Sequence, residues 1–164
     1  MACRGVHFAI TCTDANRLLA ASSPDEVLRI IQEDIEEKWD EEWLYQSDKA
    51  WDAIHRCLSD GTLNPTTGVY PRKLAILNGR QISAGEHYIV SLVTPQEAKD
   101  IASNLASIDQ ASLLDRYEAI DPDDYSLAKS REDFEYTREY FEDLGAFFQK
   151  AAEADRYVIF TVDQ

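Results

Sequence analysis

Ser47-Asp48-Lys49-Ala50-Trp51-Asp52-Ala53-Ile54-His55-Arg56-Cys57-Leu58 is the stretch on which the reading of the fold turns. Trp51, Ile54 and Leu58 recur at spacings of three and four, so one stripe of the segment seeks a core. Ser47 stands where an N-cap would, and Asp60-Gly61 closes the far end, because glycine adopts the left-handed conformation that ends helices. The segment predicts an amphipathic helix with one histidine, His55, at the edge of its buried stripe.

Working outward toward the N-terminus, Val6, Phe8 and Ile10 alternate with His7, Ala9 and Thr11, which predicts a half-buried strand with His7 turned away from the main core. Ser23-Pro24-Asp25-Glu26 combines a cap, a proline at the first helical position and a glutamate three residues on, and predicts a helix through Val27, Ile30, Ile31 and Ile35. Toward the C-terminus, Asn64-Pro65, Gly68 and Pro71 break residues 62–73 into a long aperiodic connection, of the kind that covers sites. Leu74 to Leu77 is a short apolar run before Asn78-Gly79, and His87 to Val93 reads as a strand apolar on both faces. Thr94-Pro95-Gln96-Glu97 repeats the helix-start device ahead of Ala98, Ile101, Leu105 and Ile108, and a short helix is expected around Ala111 to Ile120.

Ser130 with Asp133 begins the longest helix, whose Phe134, Phe141, Leu144, Phe148 and Ala151 form a core stripe; Gly145 within it suggests a close approach by another element. Tyr157 to Val162 is a last strand. Strands and helices mix without regular alternation, so the expected fold is α+β: a single compact domain over 1–164, with a small mixed or antiparallel sheet packed against several helices.

The 31 acidic and 16 basic residues give a formal charge of −15. That charge opposes a phosphate backbone and a polybasic membrane contact, so neither nucleic acid nor membrane is expected as a partner. Three scattered cysteines, Cys3, Cys12 and Cys57, fit reduced thiols rather than a disulfide framework, and with no leader-like run they predict a cytoplasmic protein. There is no phosphate loop, nucleophile elbow, HExxH or paired ligand spacing, so no cofactor and no metal site are read. No feature specifies an oligomeric state.

Two clusters are candidates for function. On a helical wheel His55 lies one turn from Asp52 and two turns from Asp48, a carboxylate and imidazole set that suits general acid–base work at neutral pH, with Trp51 beside it; the blander reading is a structural histidine bonded to a carboxylate or carbonyl. Cys57 falls on another helical face, so a local Cys-His pair is excluded. The second cluster is Glu33 to Glu42, which concentrates acid where Trp39 and Trp43 also stand, as protein-binding patches do.

Lys49-Ala50-Trp51 with Ile54-His55 and Leu58, then Leu74-Ala75-Ile76-Leu77-Asn78-Gly79, then Leu92-Val93-Thr94-Pro95-Gln96-Glu97, resembles the YfbM-like family of bacterial proteins, a domain-of-unknown-function family. The resemblance covers most of the chain and implies a small cytoplasmic α+β protein. Asn78 departs from the second small residue of the family's Leu-Gly-Gly-like turn. Two functions stay open at this stage. One is a non-enzymatic acidic binding protein, such as an immunity-type inhibitor of a basic toxin or enzyme. The other is a small enzyme or ligand sensor with an open pocket around His55, Trp51 and Asp52. The candidate binding residues are Trp51, Asp48, Trp39 and Trp43, the last two on the acidic surface of the first reading.

Overall fold

A computed structural model describes residues 3–163. The strands are β1 (Gly5–Ile10), β2 (Leu44–Asp48), β3 (Arg80–Gln81), β4 (Tyr88–Val93) and β5 (Tyr157–Asp163), ordered β2-β1-β5-β4-β3 in one sheet. Every neighbouring pair is antiparallel, with Val6 opposite Thr161 and Val90 opposite Thr161 on the other side. The α+β expectation holds, with the sheet wholly antiparallel.

Alternation along the strands sends side chains to opposite faces, and here both faces are covered. Phe8, Ile10, Val90, Leu92 and Ile159 face a core built with α1 (Cys12–Ala20), α2 (Pro24–Arg29) and the π-helical segment Ile30–Glu36 that continues it. Ala9, Val93, Val158, Phe160 and Val162 face a larger core built with α3 (Trp51–Leu58), α4 (Pro95–Ala106), α5 (Gln110–Glu118) and α6 (Arg131–Glu153). Each fully buried aliphatic side chain contributes about 1.5–3 kcal/mol, so neither layer is decorative.

His7 is therefore not turned away from the main core. It is fully buried on the larger side, 4.8 Å from the Phe160 ring and near Tyr45, Phe147 and Phe148, and its Nε2–H donates to the Ala75 carbonyl at 2.8 Å. The alternation was legible, but a second helical layer turns what looks like a wet face into another interior.

Helix starts follow cap chemistry. Ser23 accepts from Glu26 N–H, Ser130 from Asp133 N–H, and Thr94 with Glu97 forms a reciprocal capping box. The helix α1 has the same signal, Thr11 accepting from Asp14 N–H, and buries only Ala15 and Leu18. Ser47, in contrast, is not a cap. It lies in β2, with its hydroxyl donating to the Gly5 carbonyl at 3.1 Å, and α3 starts after Ala50 without a side-chain cap.

Two glycines behave oppositely. A Cβ on Gly79 would stand 2.6 Å from Ser91 Oγ and 2.7 Å from the Leu92 carbonyl oxygen, so glycine is what lets this turn lie against β4. Gly145 meets nothing within 4 Å of a Cβ. Among the described residues nothing fills that space; Gly145 lines a groove between α4 and α6 with Ala102, Leu105 and Phe141.

Candidate functional site

The helix α3 is buried on every side from Asp52 to Leu58, and this decides what its polar residues can do. Arg56 is the hub. Its Nε donates to Asp52 at 2.6 Å, its Nη1 to Asp124 at 2.5 Å and to the Gly61 carbonyl, and its Nη2 to the Asp124 carbonyl, while the guanidinium lies over the Tyr125 ring. Burial alone would favour neutral forms, and it pushes the Asp52 carboxyl above its ordinary range against the pull of Arg56. For Arg56 itself burial is outweighed by the bonds to Asp124 and Asp52, and it stays cationic. The clasp ties α3 to the turn before Tyr125 and floors a cleft of about 800 Å³ rimmed by Asp60, Thr62, Asn64 and Asp121.

His55 is enclosed, with 0% of its surface exposed. Burial, with the Arg56 charge adding, lowers its pKa to about 4, so it is neutral at pH 7. Neither ring nitrogen has a hydrogen-bond partner among the described residues. The expected carboxylate and imidazole set does not assemble: Asp52 is turned to Arg56, and Asp48 lies on β2 rather than on the helix. The open imidazole that the enzyme reading needs is absent, and so is the carboxylate or carbonyl bond of the structural reading. Cys57, also buried, has its thiol pushed up to about 12 by burial.

Asp48 and Trp51 are brought together at the start of β1. Tyr136 donates to Asp48 at 2.8 Å, Arg4 Nε stands 3.3 Å from its other oxygen, and Trp51 Nε1 donates to the Cys3 carbonyl while its ring packs against Phe160. Asp48 holds a φ of 45°, which side chains other than glycine rarely adopt.

Trp39 and Trp43 lie at the other end of β2. Only the first part of the acidic run, through Glu36, is helical, within the π-helical segment; the rest is turn leading to Leu44. Trp43 is half-buried beneath Arg156 and Lys150, at 3.7 and 4.5 Å from its centroid. Trp39, at φ 41°, touches Phe8 edge-on and leaves 39% of its surface open, in a run whose Glu33, Glu37, Lys38, Asp40, Glu41 and Glu42 are also exposed. A pocket of about 210 Å³ opens beside it, lined by Thr11, Asp14, Asp40, Trp43 and Arg156. Arg17 bridges Asp14 and Asp34 at its margin.

Arg56 and Asp124 were missed from sequence. The Asp52 to Arg56 spacing of four was a usable signal for half of the clasp; nothing local announces Asp124. Among the described residues no group of three His, Cys, Asp or Glu side chains could hold a metal ion, and no helix is long and apolar enough to cross a membrane.

These features define an α+β protein with a two-sided antiparallel sheet, an enclosed polar helix and an acidic, aromatic-bearing margin. The family model for a domain of unknown function, DUF1877, matches residues 1–161, and the chain belongs to that family. YfbM from Escherichia coli, a protein of unknown function, has a crystal structure similar to this chain, with a TM-score of 0.68 over 97% of this chain and 99% of that one. Identity is 18%, so the likeness speaks to fold alone. No curated protein matches the chain in sequence.

Proposed function

We propose that this YfbM-like protein is a non-enzymatic acidic binding module, working in the cytoplasm as one domain over residues 1–164, and that its partner is a basic protein. An immunity-type inhibitor of a basic toxin or enzyme is the form that best fits the charge. The observation that carries this reading is Trp39, a large aromatic left 39% exposed at a left-handed backbone position, within a run that carries five exposed carboxylates. Aromatic anchors rimmed by charge supply affinity, and a charge of −15 raises association rates with a basic surface by a factor of roughly 10 to 1,000. The alternative, a small enzyme or ligand sensor working through His55, is disfavoured because a neutral imidazole with no exposed surface meets no substrate.

Capture of the tagged protein's partners from host lysate at low salt, with stepped salt elution, tests the reading. The expected result is a stoichiometric basic protein that elutes with salt and is lost when residues 33–42 are charge-reversed or when Trp39→Ala is introduced. An empty capture, or a partner indifferent to salt and to both changes, overturns it.

A further inference from the structure

Nine buried side-chain polar atoms lack a hydrogen-bond partner among the described residues, and they are not spread evenly. Both ring nitrogens of His55, Arg72 Nε, Asn78 Oδ1 and Arg116 Nε belong to α3, to residues 72–78 that pack on it, or to α5, which also packs on it. The backbone brings the two arginines to one place. Gly68, at φ +106°, folds the 62–73 connection onto the end of α3; a Cβ there would stand 3.1 Å from Ser59 Cα and 2.9 Å from Lys73 Cβ. Residues 72 and 73 are thereby laid beside the C-terminal turn of α3. Arg116 reaches the same turn from α5, its Nη1 donating to the Cys57 carbonyl at 3.3 Å.

Among the described residues neither Arg72, Lys73 nor Arg116 makes an ion pair, although acids outnumber bases 31 to 16. Burial, and then the neighbouring Arg116 charge, lowers the Arg72 pKa, as expected when two cations share a seam with no carboxylate between them. We infer that this seam, where Arg72 and Arg116 meet at the end of α3, binds a phosphate dianion carried on a small molecule. Two guanidiniums match two negative charges, whereas a single carboxylate needs only one planar fork. Arg116 uses one of its five donors on Cys57, which also covers the negative end of α3. Both arginines are half-buried with their Nε atoms enclosed, so it is the terminal Nη donors that a ligand would meet. The inference is independent of the protein-binding face at Trp39.

Thermal unfolding in sodium phosphate, with sodium acetate and sodium chloride at matched ionic strength, reads the site directly. The wild-type melting temperature should rise saturably with phosphate and not with the other two. Arg72→Gln and Arg116→Gln should each weaken the phosphate response roughly tenfold or more. No rise, an equal rise with acetate, or an unsaturable rise shared by the variants, which is the signature of surface exclusion, overturns the inference. Because Arg116→Gln also removes the Cys57 bond, the Nε–H resonances of both arginines are followed in wild-type protein; they should shift on phosphate addition, and resonances that stay put overturn the site.

Discussion

Arg156 sits over Trp43, its guanidinium carbon 3.7 Å from the ring centroid, with Nη1 donating to the Ala9 carbonyl at 3.0 Å. The pair joins the end of α6 to the strand-like entry of β2 and fixes where the acidic turn leaves the sheet. A half-desolvated cation on tryptophan contributes about 1–2 kcal/mol. Arg156→Ala should lower stability by about that amount in urea unfolding and change Trp43 fluorescence, whereas Lys150→Ala, at the longer distance and more exposed, should cost less than about 1 kcal/mol.

The Arg56 clasp predicts an asymmetric pair of variants. Arg56→Met strands Asp52 among apolar neighbours and should cost about 3–5 kcal/mol. Asp52→Asn leaves Arg56 its bonds to Asp124 and to two carbonyls, and should cost much less. Urea midpoints of the two variants decide the matter; equal losses would contradict the hub role of Arg56.

His7 and His55 predict acid sensitivity. Burial holds both near a pKa of about 4 in the folded protein, against 6.5 unfolded. Above pH 6.5 neither form takes the proton, and the folded state loses nothing. As pH falls from 6.5 toward 4 the unfolded chain binds protons that the folded one refuses, so stability drops by about 2 kcal/mol per histidine between pH 7 and pH 5. His55→Leu should flatten that slope by about half. It should also raise stability at pH 7 by about 1 kcal/mol or more, since two unpartnered nitrogens leave the core. Urea unfolding across that pH range checks both.

The glycine pair predicts opposite signs. Gly145→Ala fills open space on a helix and should add about 1 kcal/mol. Gly79→Ala drives a methyl into the β4 backbone and should cost about 1–3 kcal/mol. Melting temperatures of the two variants separate them.

What could be read in advance was what local chemistry writes. The caps at Ser23, Thr94 and Ser130 announce themselves within four residues, and the core stripe of α6 within two turns. The helix α1 hides because its buried side is Ala15 and Leu18 alone, and β2 because Leu44-Tyr45-Gln46-Ser47-Asp48 follows an acidic run and contains Ser47, which resembles a cap. The candidate site was less legible. A helical wheel places His55 beside a stripe, but only the packing of α5, of residues 72–78 and of the Asp124 turn shows that α3 has no wet side. Those contacts join residues far apart in the chain, and no periodicity reports them.

The pairing of Val6 with Thr161 has a consequence for synthesis. Translation runs from the N-terminus, and β5 is the strand that joins β1 and β2 to β3 and β4. Until residues 157–163 have emerged from the ribosome, a nascent chain holds two separate ribbons, each with an open edge that must wait. Completion of the sheet is thereby postponed until β5 has emerged, and the interval before it is when the chain is most exposed to edge-to-edge aggregation.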